Sequence, residues 1–339
     1  MNLVQLAVSA GGKLAPLVVD KGLTNGTGLM NPSVFVDSDG DILVNLRHVN
    51  YTLYHSEADQ RFPSKWGPLA YLHPEKDMRL VTENYLMRLD EDLKVVDHTK
   101  VNMTLDVEPI WEFVGLEDAR LIQWEGQYFL VGVRRDTTTN GVGRMEYTKI
   151  NIDKEKWEVH EQWRTRIPAP DPDNSYCEKN WVPVVDKPYH FVKWTMPTEL
   201  VHSTALDVST TEQVFVKPAD FFVPADQRGS SHVFTWGDYY VSITHEVSLF
   251  KNYLGQKDGR YRHRFAIWDK DFTMVGLTPC FTFLDGYIEF CVGAAPYGKD
   301  LLVSFGFQDN AAFILRMPGA LVDEAIKLGI ERKGEGEWL

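Results

Sequence analysis

Two adjacent carboxylates, Glu117 and Asp118, stand at the start of an apolar run, with Arg120 two positions further on, in the stretch FVGLEDARLIQWEGQYFLVGVRRD from Phe113 to Asp136. A carboxyl group held beside a substrate can give or take a proton. Two like charges are costly to bury together, so their pairing there asks for a purpose. Polar groups recur at comparable places along the chain. Asn31, Glu178-Lys179-Asn180, Ser230-Ser231-His232 and Glu289 begin apolar runs. Arg47-His48, Arg134-Arg135, His245-Glu246 and Gln308-Asp309 end the runs that follow. Carboxylates with aromatic walls, here Trp111, Trp181, Trp194, Trp236 and Tyr287, suit a sugar ring: hydroxyls need acceptors, C–H faces need apolar surface, and a leaving oxygen needs an acid. The cationic candidates Arg47, Arg120, Lys179, His232 and His245 suit an anion instead, a phosphate or a phosphorylated sugar.

The elements that must position these residues are short. Helical periodicity is scarce until PGALVDEAIKLGIERKG, where Leu321, Ala325, Ile326 and Ile330 share a face. Everything earlier reads as β-branched and aromatic runs broken by Gly, Asp, Asn and Pro. Five hairpins stand out, at 31–48, 117–134, 179–194, 230–245 and 289–306, with turns near Gly40, Gly126, Lys187, Gly237 and Gly298. Room for two further strands follows most of them. Four strands in each of five units predict an all-β fold, a five-bladed β-propeller with a short C-terminal helix, spanning 1–339 as a single domain. A β-sandwich with a second domain is the competing architecture. The long first interval leaves room for an insertion at 57–79. In a propeller the hairpin ends converge at one end of the central channel, so the scattered polar groups become one site. Strand alternation predicts that Glu117 and Asp118 point to opposite sides, with Arg120 on the side of Asp118.

Bulk properties narrow the ligand. The 339 residues carry 35 Lys and Arg against 48 Asp and Glu, a net charge of -13. That excludes a general basic face for nucleic acid, while leaving room for a local basic pocket. Cys177, Cys280 and Cys291 have neither the number nor the spacing of a disulfide framework or a zinc site. No glycine-rich phosphate loop is present, and no metal and no cofactor is expected. The N-terminal apolar run lacks a basic start, and no run is long enough for a membrane helix, so a cytoplasmic protein without membrane contact is expected.

NPSVF, GLEDAR, SITHE and SFGFQDNAA, in that order between about Asn31 and Pro318, resemble the mannoside phosphorylases and hydrolases of glycoside hydrolase family 130. The family fold is a five-bladed propeller. The resemblance implies inverting cleavage or phosphorolysis of a β-mannosidic bond, with Asp118 as the general acid. It places Arg47, Lys179 and His245 at a phosphate, inorganic phosphate being the co-substrate, and Asp309 at the sugar. Asn31, Glu117, Arg120, Glu178, Asn180, His232 and Glu289 complete the expected substrate contacts. Ala119 stands where the family has proline, and Glu178 and Glu246 add carboxylates beside expected phosphate groups. Three acceptors therefore stay open: phosphate, water, or a sugar in a glycosyltransferase on the same fold. A carbohydrate-binding propeller without catalysis is the further alternative. The expected partners are an oligosaccharide or sugar phosphate, and the C-terminal helix is free to cap the propeller or to join copies in a homo-oligomer.

Overall fold

The computed structural model describes residues 2–19, 22, 28–52, 70–71, 79–138, 140–170, 178–203, 210–251, 257–336 and 338. Most of the expected insertion at 57–79, and Cys177, lie outside the described residues. The chain is all-β, and its strands form five blades of antiparallel neighbours; blades one and two join into one sheet where Val101 and Asn102 pair in parallel with Val159 and His160. Blade one contains Leu29–Val36, Ile42–Val49, Leu80–Leu89 and Val95–Asn102. Blade two contains Glu117–Trp124, Gln127–Arg134, Arg144–Asp153 and Glu158–Arg166. Blade three contains Val182–Pro183, His190–Trp194, Thr198–Ser203 and Thr211–Lys217. In blade four the inner strand is split into Arg228–Gly229 and Phe234–Trp236, followed by Tyr239–Lys251, Lys257–Trp268 and Met274–Leu277. Blade five contains Glu289–Tyr297, Asp300–Phe307 and Ala311–Met317, and its outer strand is Lys13–Pro16 from the other end of the chain. That pairing joins the two ends of the chain in one blade and so closes the ring, while each blade keeps a short outer edge.

The turns explain the hairpins. Glu125 and Gly126 have φ of 51° and 74°, the double left-handed geometry that matches strand twist in a two-residue turn. Successive blades pack face to face through separate apolar layers. Leu121, Ile122 and Trp124 meet Trp181 and Phe191 between blades two and three. Phe265, Phe305 and Leu315 form the layer between blades four and five. The inner strands are also stitched by hydrogen bonds, such as Leu121 N–H to Ser33 Oγ at 3.0 Å and Val34 N–H to Ser304 Oγ at 3.0 Å. At the rim, Lys154 Nζ sits among Asp37, Asp39 and Asp41 at 2.6–2.8 Å and ties the first turn of blade one to blade two.

The C-terminal helix, Gly319–Arg332, buries Leu321, Val322, Ala325 and Ile326 against blades four and five. Its stop is left-handed Lys333 at φ 48°. A short N-terminal helix, Leu3–Ser9, begins with a reciprocal Asn2–Gln5 capping box and buries Leu3, Val4 and Ala7 in the same layer. No helix among the described residues is long and apolar enough to cross a membrane.

Candidate functional site

A cavity of about 460 Å³ opens where the inner strands of the blades begin. Asn31 and Arg47 of blade one, Glu117 and Asp118 of blade two, Lys179 and Asn180 before blade three, His245 of blade four and Asp309 of blade five all line it. Eight of the expected site residues are thus brought together from five blades.

The backbone that carries them departs from regular strand. Asn31, Asp118, Asn180 and Asp309 have φ of 49°, 49°, 64° and 52°. Asn and Asp tolerate this left-handed region better than other side chains, and such strain collects where a structure fixes functional groups. At Asp118 the ladder slips between Val131 and Val133, so the inner strand bulges. Gly132 makes room: a Cβ there would lie 2.5 Å from Glu117 O. The bulge corrects the expected alternation, because both Glu117 and Asp118 face the cavity. Glu117 sits 3.9 Å from Arg135 Nε across the ladder.

Asp118 Oδ1 accepts from Arg47 Nη1 at 2.8 Å and from Asn31 Nδ2 at 2.8 Å. Oδ2 has no protein hydrogen-bond partner among the described residues. Arg47 is itself buried and held by Tyr51 Oη at 2.9 Å and Thr82 Oγ1 at 3.1 Å. Burial pushes the Asp118 carboxyl up. The Arg47 charge, the Asn31 hydrogen bond and the Arg120 charge outweigh burial and hold it below the usual carboxylate range. The group is therefore ionised near pH 7.

Lys179, Arg228 and His245 form a second group of nitrogens in the cavity. Neither Lys179 nor Arg228 has a carboxylate partner among the described residues; the Arg228 guanidinium lies 4.3 Å over the Trp194 ring, and its Nη2 donates to Lys179 O at 3.3 Å. Gly229 lets the two strand starts approach, since a Cβ there would stand 2.5 Å from Asn180 O. His245 Nδ1 is 2.9 Å from Ser230 Oγ. Burial, then His263 and the charges of Arg228, Lys179 and Arg120, hold its imidazole well below its usual range, so it is neutral near pH 7.

Four expected contacts do not line the cavity. Arg120 is buried, with Nε donating to Ser230 O at 2.7 Å, Nη1 to Asp118 O at 3.1 Å and Nη2 to Gly229 O at 3.4 Å. It clamps the Asp118 backbone to the strand that carries Arg228. Glu289 is buried and accepts backbone N–H groups from Phe283, Leu284 and Gly286 at 2.6–2.8 Å, which fixes the loop before blade five. His232 is buried edge-on to Phe35 at 5.8 Å between ring centroids. Glu178 turns away to accept Trp181 Nε1 at 3.0 Å. The expected aromatic wall is also different. Trp181 belongs to the core, Trp194 lies under Arg228, Trp236 binds Asp323 of the C-terminal helix, and Trp111 donates to Thr138 O. The cavity's own rings are Tyr51, Phe113, Tyr261 and Phe290. Arg228 and Tyr51 were missed because each lies just outside a hairpin whose limits were drawn from hydrophobic runs.

By sequence the chain matches no protein-family model and no curated protein. By structure it is similar to a β-1,2-mannobiose phosphorylase from Listeria innocua solved with β-1,2-mannobiose. The TM-score is 0.54 at 14% identity, over 89% of this chain and 92% of that one. A mannose phosphorylase from Leishmania mexicana solved with a phosphate ion aligns with a TM-score of 0.52 at 10% identity, over 95% and 94%. A GDP-Man-dependent mannosyltransferase from the same organism aligns at 0.51 and 12%, over 90% of each chain. The chain thus shares its fold with the mannoside phosphorylases.

Proposed function

We propose that the protein is a carbohydrate-active enzyme that transfers a mannosyl group between phosphate and a sugar hydroxyl. The observation that carries this reading is the pairing, in one cavity, of an ionised carboxylate with a separate cationic cluster. Asp118 is oriented by Arg47 and Asn31, and Lys179 and Arg228 have no carboxylate partner among the described residues. Such a cluster, in a chain of net charge -13, is suited to a phosphate.

In the cleavage direction a phosphate oxygen attacks the anomeric carbon as the glycosidic oxygen leaves, with inversion. Asp118 delivers the proton to that oxygen, directly or through a sugar hydroxyl. In the synthetic direction the carboxylate takes the proton from the acceptor hydroxyl, and phosphate departs. The ionised carboxylate is the form that synthesis needs. For cleavage, a bound anion across the pocket and a sugar that excludes water both raise the Asp118 pKa toward a usable acid. The mannosyl identity is supported by the fold neighbours and by the GLEDAR and SFGFQDNAA resemblance. The same cationic cluster also suits the diphosphate of a nucleotide sugar, which is the second reading.

The test is incubation with mannose-1-phosphate and a panel of sugar acceptors, with phosphate release as the readout and GDP-mannose in a parallel arm. Release from mannose-1-phosphate is expected, and Asp118→Asn should slow it by about 10²–10⁴, the usual worth of proton transfer. Turnover of GDP-mannose alone selects the transferase. Binding of sugar and phosphate with no turnover in either arm leaves a carbohydrate-binding propeller and overturns the enzyme reading.

A further inference from the structure

The central strands of blade four continue past the cavity rim as a two-stranded arm, with Val247–Lys251 paired to Lys257–Tyr261. Cross-strand partners share a face. His245 lines the cavity, so Val247 and Leu249, two and four residues on, and their partners Tyr261 and Gly259 lie on the same side. Val247 and Tyr261 line the cavity as well. The wall starts inside, where the Phe290 ring stands 4.9 Å from His245 and 6.2 Å from Tyr261 between centroids. It ends outside at Val247 and Leu249, which are 40% and 57% exposed.

Gly259 makes this wall flush. A Cβ there would lie 3.3 Å from Leu249 Cδ2, 3.5 Å from Val247 Cγ2 and 3.6 Å from Tyr261 Cε2, so the three side chains close over the bare backbone. The arm's facing main-chain groups are used in its own ladder, and Val and Leu offer no hydrogen bonds. A hydroxyl-rich sugar gains little on such a strip. A hydrocarbon gains in proportion to the area it covers.

We propose that this strip is a subsite for an apolar aglycone, an alkyl or aryl group carried by the sugar that the cavity binds. It rests on the reading of the cavity as a mannosyl site and adds what lies beyond that sugar. Its continuity with the cavity, through Tyr261 and Val247, favours this occupant over a separate partner.

The experiment is calorimetric titration of the whole protein with methyl and octyl β-mannoside, the latter below its micelle concentration, with sedimentation of the same samples. The octyl glycoside should bind at least ten-fold tighter. Leu249→Asn should remove most of that gain and leave methyl mannoside binding unchanged; the side chain is exposed, so folding is spared. Gly259→Gln, which lays a polar chain across the strip from the other strand, should do the same. Equal affinity for the two glycosides, or a gain that survives both substitutions, overturns the subsite while leaving the sugar site standing. Binding of neither glycoside overturns the sugar site, and the subsite falls with it. If Leu249→Asn separates a dimer without changing octyl affinity, the strip is a contact between copies and the proposal is wrong.

Discussion

His263→Phe tests how burial controls acid stability beneath the site. His263 is fully buried, its ring 4.9 Å from Phe283 and 6.0 Å from Phe281 between centroids, and neither ring nitrogen has a hydrogen-bond partner among the described residues. Burial brings its pKa from the usual 6.5 down to about 3. The folded protein therefore refuses a proton that the unfolded chain takes up. Stability is fully present above the unfolded pKa near 6.5 and is lost as pH falls toward about 3. At pH 4 the linkage from this one group amounts to about 3 kcal/mol, a value fixed mainly by the unfolded pKa. Phenylalanine has a similar ring and no proton to bind. Any misfit, on the order of 1–3 kcal/mol, enters equally at both pH values. Urea denaturation at pH 7 and pH 4 separates the two effects. The stability lost between those pH values should shrink by about 3 kcal/mol in the variant. His232, held near 3 by burial and by the Arg120 charge, supplies a second loss of the same sign that persists in both proteins. An unchanged pH-dependent loss in His263→Phe would falsify the assignment of that acid sensitivity to a buried neutral imidazole.

Gly229→Ala places a methyl group 2.5 Å from Asn180 O. It should spread Lys179 from Arg228 and weaken phosphate affinity about ten-fold, roughly 1.4 kcal/mol; an unaltered thermal upshift with phosphate rejects this role for the close approach. Lys154→Met leaves the buried Asp37 carboxylate with Tyr128 and backbone N–H groups but without its cation. A loss of about 1–2 kcal/mol is expected in urea denaturation, and no change would mean that the exposed Asp39 end screens the whole cluster.

How much of this was legible in the chain follows from the range over which each feature is decided. The blades were legible because alternation, glycine turns and β-branched runs act over a few residues: Glu125-Gly126 and the 117–134 hairpin are local facts. The convergence of Asn31, Arg47, Asp118, Lys179, His245 and Asp309 followed from the fivefold count once the ring was assumed. The sequence alone did not show that Lys13–Pro16 closes blade five, because that short strand is recognisable only by its partner some 300 residues away. Nor did it separate cavity groups from clamps. Arg120 and Glu289 carry the same charges as Arg47 and Glu117, and what divides them is whether backbone groups or solvent lie within reach. The bulge at Asp118, made by Gly132 on the neighbouring strand, turned both carboxylates to one side against the expected alternation. Local pattern fixes which face a regular strand shows. Where a strand departs from regularity, the neighbouring chain decides where its side chains go, and the departures at Asn31, Asp118, Asn180 and Asp309 line the cavity.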